Sequence, residues 1–335
     1  MITKLLSFAA LSVAIYFLIA IGLILSQWPK ALPERAGLDF STIMQVGGRP
    51  PDSDSFRLKT FEARDGTTLS YRHVKAEGAE GAEGVPLILM LHGSGWYHGQ
   101  FDRLAYALRD VAEVKALTLR GHGRGPDKTG DLRYIGQLED DIADLIGETE
   151  REVVLLGHSS GGGLAVRFAG GAHSGKVDSM ILLAPFLNHN APTTRQNSGG
   201  WANALTRRII GLSMLNAAGI HALDGLAVIQ FAMPRAVLAG PQGKHATTRY
   251  SWRLNTSYAP RAPYLSDVAA LPRFTLIAGR KDEAFVADGY EPLMSSVTRK
   301  GVYALVDGVG HLDIVDAPQT EALIREHLRE RSRER

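Results

Sequence analysis

The stretch Gly157-His158-Ser159-Ser160-Gly161 places a serine between two glycines, each two residues away. That spacing suits nucleophilic catalysis, because a serine on a tight strained turn presents its hydroxyl while glycines at those positions avoid collisions with neighbouring backbone. The pentapeptide alone is a weak signal in a chain with 36 glycines, so its flanks decide. Val153 to Leu156 is an apolar strand-like run and Leu164 to Ala169 is helical in character, which gives the strand, turn and helix that such an elbow needs. Gly162 and Gly163 leave room for close helix–sheet approach.

A serine hydroxyl is a poor nucleophile until a base takes its proton, so a histidine is required, with a carboxylate to fix its tautomer. Arg273 to Ala278 leads into Gly279-Arg280-Lys281-Asp282, and Gly301 to Val306 leads into Asp307-Gly308-Val309-Gly310-His311. Asp282 and His311 therefore stand at equivalent strand ends. Glu283 and Asp288 are alternative acids at this stage; no other histidine follows a late strand, since His327 lies in the charged terminal segment. The oxyanion formed on attack needs backbone donors, one from the residue after the nucleophile and one from the loop after the first parallel strand. Ser160 and Ser94 are the candidates, the latter in His92-Gly93-Ser94-Gly95. His92, His98 and His122 lie on separate loops without ligand spacing, so turn geometry is their expected role; neither a metal nor a cofactor is expected.

The elements that must position these groups alternate. Short, mostly apolar strand candidates (Val85–Leu91, Val114–Leu119, Glu152–Leu156, Ser179–Leu183, Arg273–Ala278, Gly301–Val306) are separated by helical stretches at Phe101–Asp110, Tyr134–Thr149, Ser160–Ala172 and Gln319–Glu330. Continuous apolar strands interleaved with helices predict a parallel sheet covered on both faces. Ile135, Leu138, Ile142, Leu145 and Ile146 recur at helical spacing and read as core packing. Phe56–Ala63 and Thr68–Val74, joined at Asp65-Gly66, predict an antiparallel hairpin at the start of the sheet. Phe186 to Leu271 interrupts the alternation by about 85 residues, far beyond an ordinary connection, and predicts an inserted subdomain whose apolar middle, Trp201 to Phe231, reads as helices.

Ahead of this domain, Leu5 to Leu25 runs apolar for 21 residues, interrupted only by Ser7, Ser12 and Gly22. About 20 helical residues cross a hydrocarbon core. The run exceeds the apolar region of a cleaved signal peptide, Ser26-Gln27-Trp28-Pro29 is a poor cleavage site, and Trp28 fits an interfacial aromatic belt. An uncleaved anchor at 1–28 is expected. Lys4 and the terminal amine before it and Lys30 and Arg35 after it nearly balance, so charge sets no orientation. Residues 29–55, with Gly47-Gly48-Arg49-Pro50-Pro51, read as a linker, 56–335 as the folded domain, and Ala76 to Gly84 as a surface loop. The 335 residues carry 45% hydrophobic residues, a net charge of +2 and no cysteine. No basic field argues for a nucleic-acid partner, and disulfides, thiolate chemistry and a cysteine-linked lipid anchor are excluded.

On these residues the chain resembles the α/β-hydrolase superfamily, and more narrowly its monoacylglycerol lipase, lysophospholipase and serine aminopeptidase-like branch. The points of likeness are His92-Gly93-Ser94-Gly95 with Phe101-Asp102-Arg103-Leu104, Arg120-Gly121-His122-Gly123-Arg124-Gly125, the elbow, Gly279 to Asp282, and Gly310-His311. The likeness spans Phe56 to the C-terminus except the insertion, at about 187–271. The resemblance implies a mostly parallel sheet of about eight strands with a helical lid, the chain order serine, acid, histidine, and hydrolysis of a small-molecule ester or lipid. An acyltransferase or aminopeptidase would use the same triad, and a silent binding module would keep only the fold. Dehalogenase and epoxide-hydrolase chemistry is disfavoured, because those members carry aspartate at the elbow.

Overall fold

The computed structural model describes residues 2–33, 37–41, 53, 56–77, 84–125 and 128–334. Most of the 29–55 linker and of the loop at 76–84 lies outside the described residues. Eleven strands are described: β1 (Phe56–Glu62), β2 (Thr68–Val74), β3 (Leu87–Leu91), β4 (Glu113–Leu117), β5 (Val153–His158), β6 (Ser179–Leu183), β7 (Ala202–Ala204), β8 (Ala227–Phe231), β9 (Arg249–Ser251), β10 (Arg273–Gly279) and β11 (Gly301–Val306). Eight of them form one sheet in the order β1-β2-β4-β3-β5-β6-β10-β11. β1 and β2 form the expected antiparallel hairpin, and β2 also runs antiparallel to β4. Every other pairing in this sheet is parallel.

The central strands are buried along their whole length, which is why they read as unbroken apolar runs rather than alternating ones. Side chains of β3 and β5 divide by parity between two cores. Leu89, Leu91 and Leu155 face one layer with Leu138, Ile142 and Phe168; Ile88, Met90, Val154 and Leu156 face the other with Phe101, Leu104, Ile324 and Leu328. The chain passes from β3 outward to β4 and then back across β3 to β5, so the direction of winding reverses between β3 and β5. A crevice outside the carboxyl ends of those strands follows from that reversal, and both Ser94 and Ser159 lie on its rim.

The described helices, numbered in chain order, are α1 (Ile2–Leu25), α2 (Asp102–Ala107), α3 (Gln137–Ile146), α4 (Ser160–Ala169), α5 (Thr206–Ala217), α6 (Arg235–Ala239), α7 (Trp252–Tyr258), α8 (Tyr264–Ala269), α9 (Tyr290–Met294) and α10 (Pro318–Glu334). α3 starts later than its stripe predicts: Gly136 sits at φ 103°, and Ile135 before it is exposed, while Leu138, Ile142, Leu145 and Ile146 are buried. The insertion also differs from expectation. Trp201 to Phe231 is not helical throughout, because only α5 forms there, and β7, β8 and β9 build a three-stranded antiparallel sheet. Ala227-Val228-Ile229-Gln230-Phe231 is short and carries two β-branched residues, which suit a pleated surface better than a helix.

α1 is long and apolar enough to cross a membrane, and most of its large side chains are exposed. Its C-terminal half rests on the insertion. Ala20 and Ile24 pack with Leu212, Leu215 and Val228 in a separate apolar cluster. Tyr16 donates to the Met214 carbonyl at 2.7 Å, and the buried Arg208 reaches the Ile24 carbonyl at 3.4 Å with its guanidinium over the Trp28 ring. A cation there complements the negative end of the helix dipole. Beyond α1, Gln230 exchanges two hydrogen bonds with the Lys30 backbone.

Candidate active site

Four loops meet at one edge of the sheet because β3, β5, β10 and β11 end nearly level. Leu91 pairs with Gly157 and Gly279 with Val306. Ser159, directly after β5, adopts φ 55° and ψ −121°, a region that a serine occupies only when its surroundings force it there. Its neighbours explain the glycines: a Cβ on Gly157 would lie 2.3 Å from the Gly161 carbonyl oxygen, and one on Gly161 would lie 2.2 Å from that of Leu91. Neither position admits a side chain while the elbow keeps this shape.

His311 Nε2 lies 2.9 Å from Ser159 Oγ, and His311 Nδ1 lies 2.8 Å from Asp282 Oδ2. The carboxylate fixes the tautomer: Nδ1–H donates to Asp282, leaving Nε2 to accept from the serine hydroxyl. Burial by itself pushes the Asp282 carboxyl up. The charge interaction and hydrogen bond with His311, with the amides of Ala284 and Phe285 donating to Oδ1, outweigh that and hold it below the ordinary carboxylate value. The alternative acids are engaged elsewhere. Glu283 accepts from the His311 backbone N–H at 2.8 Å, and Asp288 pairs with Arg280 at 2.6 Å.

The hydroxyls of Ser94 and Ser160 lie 2.5 Å apart, and both residues line the same pocket as Ser159. Among the described residues no acceptor engages the backbone N–H of either, whereas Gly93 N–H donates to Gln100 Oε1 and Gly95 N–H to the Tyr250 hydroxyl. The loop after β3 is thus held from both sides with one amide left over.

Three residues that hold this arrangement are illegible in the sequence motifs. Gln100 links Gly93 to His158, donating from Nε2 to His158 Nδ1 at 2.6 Å, and His158 Nε2–H donates in turn to the His311 carbonyl. Tyr250 accepts from Gly95 and donates to His122 Nε2 at 2.6 Å, and Tyr258 donates to the His92 carbonyl at 2.7 Å. Both tyrosines come from the insertion. The histidines of the motifs act as buried neutral connectors: burial holds His122 down at about 4 and His158 at about 3, and pushes His92 well below its ordinary value. His98 bonds Thr118 Oγ1 at 2.7 Å.

A pocket of about 530 Å³, its mouth included, opens from Ser159 beneath the insertion, with Phe186, Trp201, Ile229, Phe231 and Phe285 among its walls. A smaller one, about 320 Å³, also borders Ser159.

A parallel-sheet fold with a serine elbow, an acid and a histidine at one edge defines the hydrolase class, and the chain belongs to the alpha/beta hydrolase family, whose model matches residues 88–322. It is similar to a monoacylglycerol lipase of Mycolicibacterium smegmatis, 29% identical over 108 residues that make up 30% of this chain and 38% of that protein. It is also similar to protein phosphatase methylesterase 1 of Mus musculus, 32% identical over 154 residues, 41% of this chain and 38% of that protein. The chain therefore spans under two fifths of the length of these relatives. A soluble variant of monoglyceride lipase from Saccharomyces cerevisiae shares the fold at a TM-score of 0.61 and 14% identity, over 90% of this chain and 97% of that one.

Proposed function

We propose that this chain is a serine hydrolase that cleaves carboxylic esters with lipid-like or medium-chain acyl groups through an acyl-enzyme. The observation that carries the reading is the continuous hydrogen-bonded line from Asp282 through His311 to Ser159, beside two unengaged amides. Ser159 Oγ attacks the ester carbonyl carbon while His311 Nε2 takes its proton. Asp282 stabilises the imidazolium, and the amides of Ser94 and Ser160 receive the developing oxyanion. The tetrahedral intermediate collapses, His311 returns the proton to the leaving alcohol, and a water activated by the same imidazole releases the acid.

The aromatic and aliphatic walls of the larger pocket support an apolar acyl group, because they offer buried surface and few polar partners. In the same reading residues 1–28 tether the domain at 56–335 to a membrane, supported by the length and apolar exposure of α1. The test is covalent labelling of the detergent-solubilised full chain with a fluorophosphonate probe. Wild type is expected to label and to hydrolyse p-nitrophenyl esters, with medium chains preferred over acetate, and Ser159→Ala is expected to do neither. An unlabelled wild type would remove the nucleophile from the proposal, and cleavage of acetyl esters alone would remove the lipid-like substrate.

A further inference from the structure

We propose that Phe40, on the segment that follows the N-terminal helix, is a specificity-determining residue that walls a compact site for an uncharged alcohol leaving group. The proposal rests on the serine-hydrolase reading above. Two pockets meet at Ser159, and Ser94, Trp201 and His311 border both. A carbonyl carbon bonded to Ser159 Oγ directs its oxygen at the Ser94 and Ser160 amides, which leaves two substituents and two pockets to receive them. His158 and Leu312 border only the smaller pocket. Leu312 follows His311 in the chain, and His158 holds the His311 carbonyl, so this pocket lies against the loop that carries the imidazole. The leaving oxygen must take its proton from that imidazole, which assigns the smaller pocket to the alcohol and the larger one to the acyl chain.

Phe40 closes the smaller pocket. It is 6% exposed, its ring centroid lies 5.5 Å from that of Trp201 and 6.4 Å from that of Trp96, and Leu38 beside it is also buried. Neither belongs to the strands or loops that carry the triad. The chemistry stands without them, and what they add is shape. The polar side chains Gln100 and His158 of the pocket are already spoken for. Gln100 uses its amide oxygen on Gly93 and its nitrogen on His158, and His158 uses both ring nitrogens. Burial keeps His158 uncharged, and no lysine, arginine or carboxylate is among the described lining residues. A phosphate-bearing headgroup or a charged amine would lose its hydration here without gaining an oppositely charged partner, whereas a small neutral alcohol loses little.

The experiment compares kcat/KM for two ester series on full-length, detergent-solubilised protein. One holds a hexanoyl group and varies the alcohol (methyl, butyl, benzyl, and a phosphocholine-bearing alcohol); the other holds the methyl ester and varies the acyl chain. Wild type is expected to favour methyl and butyl over benzyl and to reject the phosphocholine ester. Phe40→Ala is expected to raise the benzyl-to-methyl ratio about tenfold, Phe40→Trp to lower it, and both to leave the acyl-series ratios within about twofold. Alcohol ratios unchanged in variants that still react with fluorophosphonate would overturn the assignment, as would equal shifts in both series or efficient cleavage of the phosphocholine ester by wild type. Phe40→Leu, which keeps apolar volume, covers a failure of the alanine variant to fold and is expected to give an intermediate ratio. A wild type that neither labels nor cleaves any ester overturns the hydrolase reading instead, a result distinct from an active enzyme with unmoved alcohol preference.

Discussion

His158 shows how the elbow's second residue contributes without touching the reacting atoms. Its two ring nitrogens join Gln100 to the His311 carbonyl, so the loops after β3, β5 and β11 are tied in one buried line. That service requires the neutral ring, and burial keeps it neutral down to about pH 3, against 6.5 for a free imidazole. Between those values the unfolded chain takes up a proton at this position and the folded chain does not, so stability contributed by His158 is complete above pH 6.5 and is lost as pH falls. His158→Gln, which preserves a donor and an acceptor, is expected to flatten the stability–pH curve by about 1.4 kcal/mol per pH unit between pH 6 and 4. Urea unfolding at a series of pH values measures it; parallel curves for the two proteins would show that the ring is charged in the fold. The three candidate residues were nameable from residue type and strand-end position. Gln100 was not, since a lone glutamine in a loop carries no spacing signal and acquires its role only when β3 and β5 lie side by side.

At the scale of elements, the sequence gives no hint of the close contact between α1 and α5. A Cβ on Gly211 would lie 2.5 Å from the Ala20 carbonyl oxygen, so glycine is what lets the backbones meet. Gly211→Val is expected to part the two helices and cost about 1–3 kcal/mol, with Gly211→Ala closer to the low end, because overpacking forces backbone shifts. A lower Tm together with faster proteolysis within 202–231 would bear this out; an unchanged Tm and cleavage pattern would mean that the helices do not pack in solution. α5 was legible from its apolar content, while β7 to β9 were not. A five-residue apolar run such as Ala227 to Phe231 has too few positions to separate a period of 2 from one of 3.6, and its partners come from both sides of α5.

The whole molecule couples an exposed apolar helix to the roof of its pocket. α1 packs on α5 and near β8, and β8 contributes Ile229 and Phe231 to the larger pocket, so the apolar helix and that pocket share one support. Removing residues 1–28 would uncover Leu212, Leu215 and Val228 and take from Arg208 the Trp28 ring and the Ile24 carbonyl, leaving it the Ala227 carbonyl alone among the described residues. The truncated chain is therefore expected to leave the membrane fraction yet self-associate and melt at a lower temperature than the solubilised full chain. Light scattering and thermal unfolding in one detergent measure it. A monodisperse truncated protein of equal Tm would show that α1 is only a tether.

Local chemistry in the sequence determined the elbow, the candidate acid and histidine, the parallel sheet and the apolar helix, because each depends on residues within a few positions of one another or on a strand's own period. Tertiary structure decided which carboxylate meets His311, how the insertion folds, and that Phe40, Gln100 and Tyr250 reach the site. Those outcomes turn on packing between segments tens to hundreds of residues apart, where no spacing along the chain encodes distance in space.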